Sequence, residues 1–269
     1  MRSPGSAFDL RDALCDEVRG AIQALEGADG KKKAVHAARV RLKRARALAR
    51  VGHAFAPGLA AVFNDSARAI MGSLAEARTL AALAKTARDL AKQSNKRAAK
   101  ALDAAHEALQ GDRDAAAPTD YAAVNAGLRD LLALAQVWPE ASPRQISRGA
   151  QHVARRARKA WRKVHSNGAP EEKRHQWRQR EGDRLYAAGL LDDAWPHSRP
   201  ARQSANKKLV KALGREHDLA LLADKLAELP TLSGDESNTA AALRALARER
   251  KRRFRRARRI AAQLHEGRA

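Results

Sequence analysis

His36 stands three residues before Arg39, and His175 stands three residues before Arg178. On a helix turning ~100° per residue, such a pair shares a face and presents an imidazole beside a guanidinium. The first pair continues into Lys43, Arg46 and Arg50 on one arc, while Val35, Ala38, Leu42, Ala45 and Ala49 form a neighbouring apolar arc. Arg41 and Arg44 fall on the remaining side. The charged row offers a partner guanidinium forks, a mobile ammonium and imidazole N–H groups. Its chemistry is the binding of anionic oxygens. No acid lies between Asp29 and Asp65, whereas a solvated surface helix intersperses Glu at i, i+4. An uncompensated stripe beside the core stripe reads as a groove wall, where the fields of facing helices add.

Other chemistries lack their arrangements. The acids are scattered, while metal-assisted phosphoryl chemistry wants clustered carboxylates. There is no HExxH and no paired CxxC, and GADGKKKAV at 27–35 lacks the spacing and the Ser or Thr of a Walker loop. Arg and Lys beside the histidines repel a metal cation. The expectation is a binding protein without catalysis, cofactor or metal. His217 and Asp218, after Gly214, read as a structural pair in which Asp218 orients a cavity arginine.

The elements that must position these groups are helices. Apolar residues recur with helical period nearly throughout, and no segment alternates as a strand does, so the fold class is all-α. Helices are expected near 7–26, 31–54, 57–91, 94–110, 119–138, 145–166, 170–191, 201–229 and 236–266. The breaks fall at Gly27–Gly30, Pro57-Gly58, Gly111–Pro118, Pro139–Pro143, Gly168–Pro170, Pro196–Pro200 and Pro230–Gly234.

The chain also reads as duplicated. An offset of 139 carries His36 onto His175, Arg39 onto Arg178, Arg41 onto Arg180, Pro57 onto Pro196, Leu74 onto Leu213, Leu80 onto Leu219 and Leu83 onto Leu222. The expectation is a single domain over 1–269, with a first helical repeat at 5–111, a connecting segment with an extra helix at 112–142, and a second repeat at 143–266. Each repeat would be a four-helix bundle, the two related by a pseudo-twofold axis.

Lys and Arg number 53 against 30 Asp and Glu, a formal charge of +23 with a pI near 11.1. Such an excess attracts nucleic acid, polyphosphate or an anionic membrane surface. HVARRARKAWRKVH (152–165) and RERKRRFRRARR (248–259) repeat the feature, and Arg155 and Lys159 join the candidates on charge grounds. Only ten Phe, Trp and Tyr residues are available for base stacking. With no helix-turn-helix, zinc-finger or RRM pattern, nucleic acid would bind weakly, nonspecifically and salt-sensitively. No apolar run approaches the ~18 residues of a membrane span, and the helices are too rich in Ala to insert. The charged start, MRSPGSAFDLRDALCDE, is unlike a signal peptide, so a cytoplasmic protein is expected. Cys15, the single cysteine, shares a helical face with Phe8, Val18, Ile22 and Leu25 and reads as a core thiol.

His36-x-x-Arg39-Val40-x-x-Lys43-Arg44-x-Arg46 closely resembles the first repeat motif of the CHAD family, the conserved histidine α-helical domain. HQWRQREGDRLY (175–186) is similar to the second motif at His175, Trp177, Arg178, Arg180, Asp183 and Tyr186, and LGREHDLALL (213–222) is similar to the LGxxHD segment. Gly182 stands where the second motif usually carries Lys, and Ala75 where the first half usually carries Gly. The resemblance implies two pseudo-symmetric bundles around a basic central cavity that binds inorganic polyphosphate, with association to polyphosphate granules in bacteria. Carried over, the binding set is His36, Arg39, Lys43 and Arg46 with His175 and Arg178. Arg44 of the motif and Arg50 of the basic arc complete the candidates, beside Arg155 and Lys159. A cavity this basic favours neutral imidazoles when empty and protonated ones when filled, so affinity should rise as pH falls from about 8 to 6.

Overall fold

The computed structural model describes residues 8–26, 32–164, 169–192, 195, 200–228 and 236–266. Ten helices and no strand occur among them: α1 (Leu10–Leu25), α2 (Lys32–Gly52), α3 (Pro57–Ser73), α4 (Glu76–Ala91), α5 (Lys96–Ala115), α6 (Tyr121–Gln136), α7 (Pro143–Arg162), α8 (Glu171–Leu191), α9 (Pro200–Glu228) and α10 (Glu236–Glu266). Several starts are set locally. Asp9, Asn95 and Asp120 each accept from the backbone N–H three residues on, and Ser142 forms a reciprocal capping box with Gln145. The expected breaks at 27–30, 196–199 and 230–234, with Gly168, lie outside the described residues, as do the expected helix ends at residues 7, 165–166 and 229.

The expected helix 57–91 is two helices, parted at Leu74-Ala75. Gly72 and Ser73 end α3, and both are weak helix formers. Leu74 leaves helical geometry with its side chain buried. At that point the chain passes from one compact unit to another.

The first unit comprises residues 1–74 and 119–207, and the second comprises 75–118 and 208–269. The expected halves, 5–111 and 143–266, do not coincide with these units, because each unit takes helices from both. In the first unit α2 packs on α1, α3, α7 and α8, and α6 packs on α1 and α3. Its core runs from Leu10, Leu14 and Val18 through Leu42 and Leu48 to Phe63, Leu128, Leu131, Trp138 and Val153. The segment expected only as a connection thus supplies α6 to this core. In the second unit α5 packs on α4 and α10 around Leu83, Leu90, Leu102, Leu109, Leu219, Leu222 and Leu246. Cys15 is 4% exposed and burial pushes its thiol above 9.0, as a core thiol should behave.

Two glycines let the helices of the first unit close up. A Cβ on Gly149 of α7 would lie 2.1 Å from the Val51 carbonyl oxygen of α2, and one on Gly52 would lie 2.5 Å from the Trp138 ring. Only a residue without a side chain fits either place.

Candidate functional site

The three sides of α2 go to three different places. Ala38, Leu42, Ala45, Leu48 and Ala49 are fully buried in the core. Arg41 and Arg44 turn to α1, where they clasp the buried carboxylate of Glu17 at 3.2 and 2.9 Å. A Cβ on Gly20 would come within 2.9 Å of Arg41 Nε, so the glycine leaves the space that this guanidinium crosses. Burial raises the pKa of Glu17 more than Arg44 and Arg41 lower it, so the pair is a fold contact with a real desolvation cost. Arg44 is therefore apart from the other candidates: its charge is committed to α1.

The remaining side carries Arg39, Arg46 and Arg50. Arg39 Nη1 donates to the Met71 carbonyl at the end of α3, and Arg46 Nη1 lies 3.8 Å from Met71 Sδ. The C-terminal half of α2 is enclosed almost all round, since Ala45, Ala47, Leu48, Ala49, Val51 and Gly52 are all buried. Two cations are built into it. Burial lowers the pKa of Arg46, and Arg46 Nε is buried with no hydrogen-bond partner. Arg50 is brought down to about 10, first by burial and then by Arg46, Arg180 and Arg156, against the attraction of Asp183.

Asp183 of α8 holds this group together. One oxygen accepts from Arg50 at 3.0 Å and the other from Arg180 at 3.3 Å, with the carboxylate 12% exposed. It orients Arg50 and Arg180, while Asp218 lies half-buried on α9 in the second unit. The opposite flank of α8 is fixed by its own network. The fully buried Trp177 donates to Glu181 at 2.9 Å, Glu181 pairs with Arg184 at 3.0 Å, and the Trp177 ring rests on Trp161 of α7. With that flank held, His175 and Arg178 face another way. Burial, then Arg178, lowers the pKa of His175 against the pull of Glu171, and Gln179 Nε2 donates to its Nε2 at 2.6 Å.

A cavity of about 350 Å³ opens where α7 meets α8 and the end of α2, lined by His53, His152, Arg156, Lys159, Lys163, Gln176 and Arg180. Lys159, a sequence candidate, is on its rim. Arg155 is exposed one turn away and acts on His152 through its charge. Lys43 is half-buried and His36 exposed, both on the basic side of α2. The cavity in the second unit differs in kind: its lining mixes Lys92, Arg215 and Arg253 with Asp89 and Glu249.

Sequence reasoning left out Arg156, Lys163, Arg180 and Asp183 as site residues. A usable signal existed: Arg156, Arg180 and Asp183 lie 139 residues after Glu17, Arg41 and Arg44. Each set has two arginines and one acid, but the acid moves from the first position, Glu17, to the last, Asp183, so in the second set the carboxylate stands on the same helix as Arg180. His53 and His152 had no such signal, because they meet only through the close approach at Gly149.

The arrangement is a cluster of arginine, lysine and histidine side chains carried by α2, α7 and α8 of an all-helical fold. A family model, the CHAD domain, matches residues 13–227, and the chain belongs to that family. The fold is similar to the crystal structure of the CHAD domain from the plant Ricinus communis, with 20% identity, 98% of this chain and 96% of that one covered, and a TM-score of 0.66. It is also similar to PptA from Streptomyces chartreusis, with 18% identity, 96% and 98% covered, and a TM-score of 0.70. No curated protein sequence matches the chain.

Proposed function

We propose that this protein binds inorganic polyphosphate, a chain of phosphates with neither bases nor sugars, and that it does so without a chemical step. The observation that carries the reading is the cluster of Arg46, Arg50 and Arg180, in which Arg50 and Arg180 share the carboxylate of Asp183, with the exposed Arg156 beside it. Burying so much like charge is costly unless a partner neutralises it. Arg39 beside Met71 and the His175–Arg178 turn extend the cationic surface along α2 and α8. A polyanion of regular charge suits a surface that offers donors in series and no shape for a base.

CHAD relatives are the source of the expected ligand, and the local chemistry of α2, α7 and α8 supports it. Internal duplication belongs to the same reading. Lys32–Gly52 and Glu171–Leu191 are each 21 residues and stand 139 apart at both ends, and the two helices pack on each other. We place the protein in the cytoplasm at polyphosphate granules of a bacterium. No helix among the described residues is long and apolar enough to cross a membrane.

The test is binding of polyphosphates of several lengths, and of single- and double-stranded DNA of matched charge, at physiological salt. Wild type is run beside an Arg39→Ala, Arg178→Ala variant. Tight polyphosphate binding that survives salt, outcompetes DNA and collapses in the variant is expected. Equal, salt-labile binding of every polyanion would leave a nonspecific nucleic-acid-binding basic protein instead.

A further inference from the structure

The His53–His152 pair has no place in the reading so far, and its setting is unusual. The two imidazoles stack with ring centroids 5.6 Å apart and planes inclined by 14°. They line a cavity whose other charged walls are Arg156, Lys159, Lys163 and Arg180. The groups facing the pair are Arg155, Arg156, Lys159 and Lys163 of α7 and Gln176 and Arg180 of α8. Beyond Arg180 stand Asp183 of α8 and, from α2, Arg50 with Arg46. Asp183, the acid among them, has one oxygen on Arg50 and the other on Arg180. No carboxylate is among the described residues that line the cavity.

Building on the polyphosphate reading, we propose that this cavity is a proton-coupled pocket for a phosphate group bearing two negative charges. A stacked pair of neutral imidazoles is comfortable there, while two imidazoliums at that separation repel each other and the surrounding guanidiniums. An anion in the cavity, against the edges of the rings, reverses the balance. Its oxygens take the N–H donors of one or both rings, and a proton from solvent completes the imidazolium. The cationic setting fits this account, since burial, then Arg156, His53, Arg155 and Arg180, holds His152 below its ordinary value. A cavity of about 350 Å³ is at the small end for a ligand site, the size for one to a few phosphate units. Two sources supply a doubly charged phosphate: free inorganic phosphate or pyrophosphate, and the terminal group of a polyphosphate chain. Interior phosphates carry one charge each.

Calorimetric titration in two phosphate-free buffers of different ionisation enthalpy, at pH 7, measures the protons taken up on binding. The probes are orthophosphate, pyrophosphate, linear tripolyphosphate and cyclic trimetaphosphate, which has no terminal phosphate. Wild type is compared with a His53→Gln, His152→Gln variant. Wild type is expected to take up about half a proton to one proton more than the variant on binding a linear probe. The variant should bind that probe at least fivefold more weakly at pH 6.5, yet bind long polyphosphate at pH 8 within threefold of wild type. Uptake with orthophosphate assigns the pocket to free phosphate; uptake only with the linear oligomers assigns it to chain ends. Equal proton uptake in the variant, or equal binding of the cyclic probe, would overturn the proposal. If long polyphosphate binds at pH 8 and none of the linear probes does, this inference fails while the polyphosphate reading stands. If long polyphosphate does not bind at all, that reading fails first.

Discussion

Replacing Asp183 by Asn tests the electrostatics of the site with one atom's change. Arg50 and Arg180, with side chains 15% and 17% exposed, both lose their charged acceptor. Arg50 already sits at about 10 against an ordinary 12.5 with Asp183 in place, which corresponds to about 3 kcal/mol of uncompensated burial. Removing one partner of a buried pair costs about 3–5 kcal/mol. Arg50 keeps its bond to the Arg46 carbonyl at 3.2 Å, so the low end applies. At about 2–4 °C per kcal/mol for a unit of this size, the melting point should fall by about 6–12 °C. All four tryptophans, Trp138, Trp161, Trp177 and Trp195, belong to the first unit, so their fluorescence reports its unfolding selectively. In saturating polyphosphate the ligand supplies the missing negative charge, and the deficit should shrink to less than half. A deficit that persists unchanged in saturating polyphosphate, with the ligand demonstrably bound, would refute the placing of the anion at Arg50 and Arg180.

Arg44→Gln should lower the melting temperature by about 2–4 °C, for a loss of ~1 kcal/mol in a partly exposed pair, and change polyphosphate affinity less than threefold. Arg180→Gln should weaken that affinity about tenfold, the value of one charge-assisted hydrogen bond. Titration and melting of both variants separate an arginine that holds α1 from one that holds ligand. Gly182→Lys should raise affinity severalfold and stabilise α8 by about 0.5–1 kcal/mol, because a side chain there meets nothing within 4 Å. Equal affinity would place α8 off the ligand path. His152 and His175 are both held below 6.5 in the folded chain, chiefly by burial. The unfolded chain therefore takes up these protons first, and stability is full above about pH 6.5 and lost as pH falls through the depressed folded values. Denaturation at pH 7.5 and 5.5 should show that loss, and polyphosphate should reverse it.

What could be read from the sequence was local. The sorting of α2 into three sides needs only helical geometry and the residue types, and the side bearing Arg41 and Arg44 was separable from the basic arc before any partner was known. Arg44 was nonetheless counted with the site because a motif runs along the chain, whereas Glu17, which claims it, sits on another helix. The 139-residue offset relates the His-x-x-Arg stretch of α2 to that of α8 in the sequence, but the division into compact units depends on which faces meet, and periodicity does not encode that. The break at Leu74 was missed because Gly72 and Ser73 are only weakly unfavourable in a helix, and the burial of Leu74 decides the matter. The His53–His152 stack was hidden for the same reason: it follows from Gly149 letting α7 reach the backbone of α2.

The most direct test of the account is a crystal structure of the protein with a polyphosphate of about ten units, at physiological salt. Phosphate oxygens should lie within hydrogen-bond distance of Arg46 and Arg180, continuing towards Arg39 or Arg178. Phosphates found instead only along the basic stretch 248–259 of α10, with the α2–α7–α8 cluster empty, would contradict it.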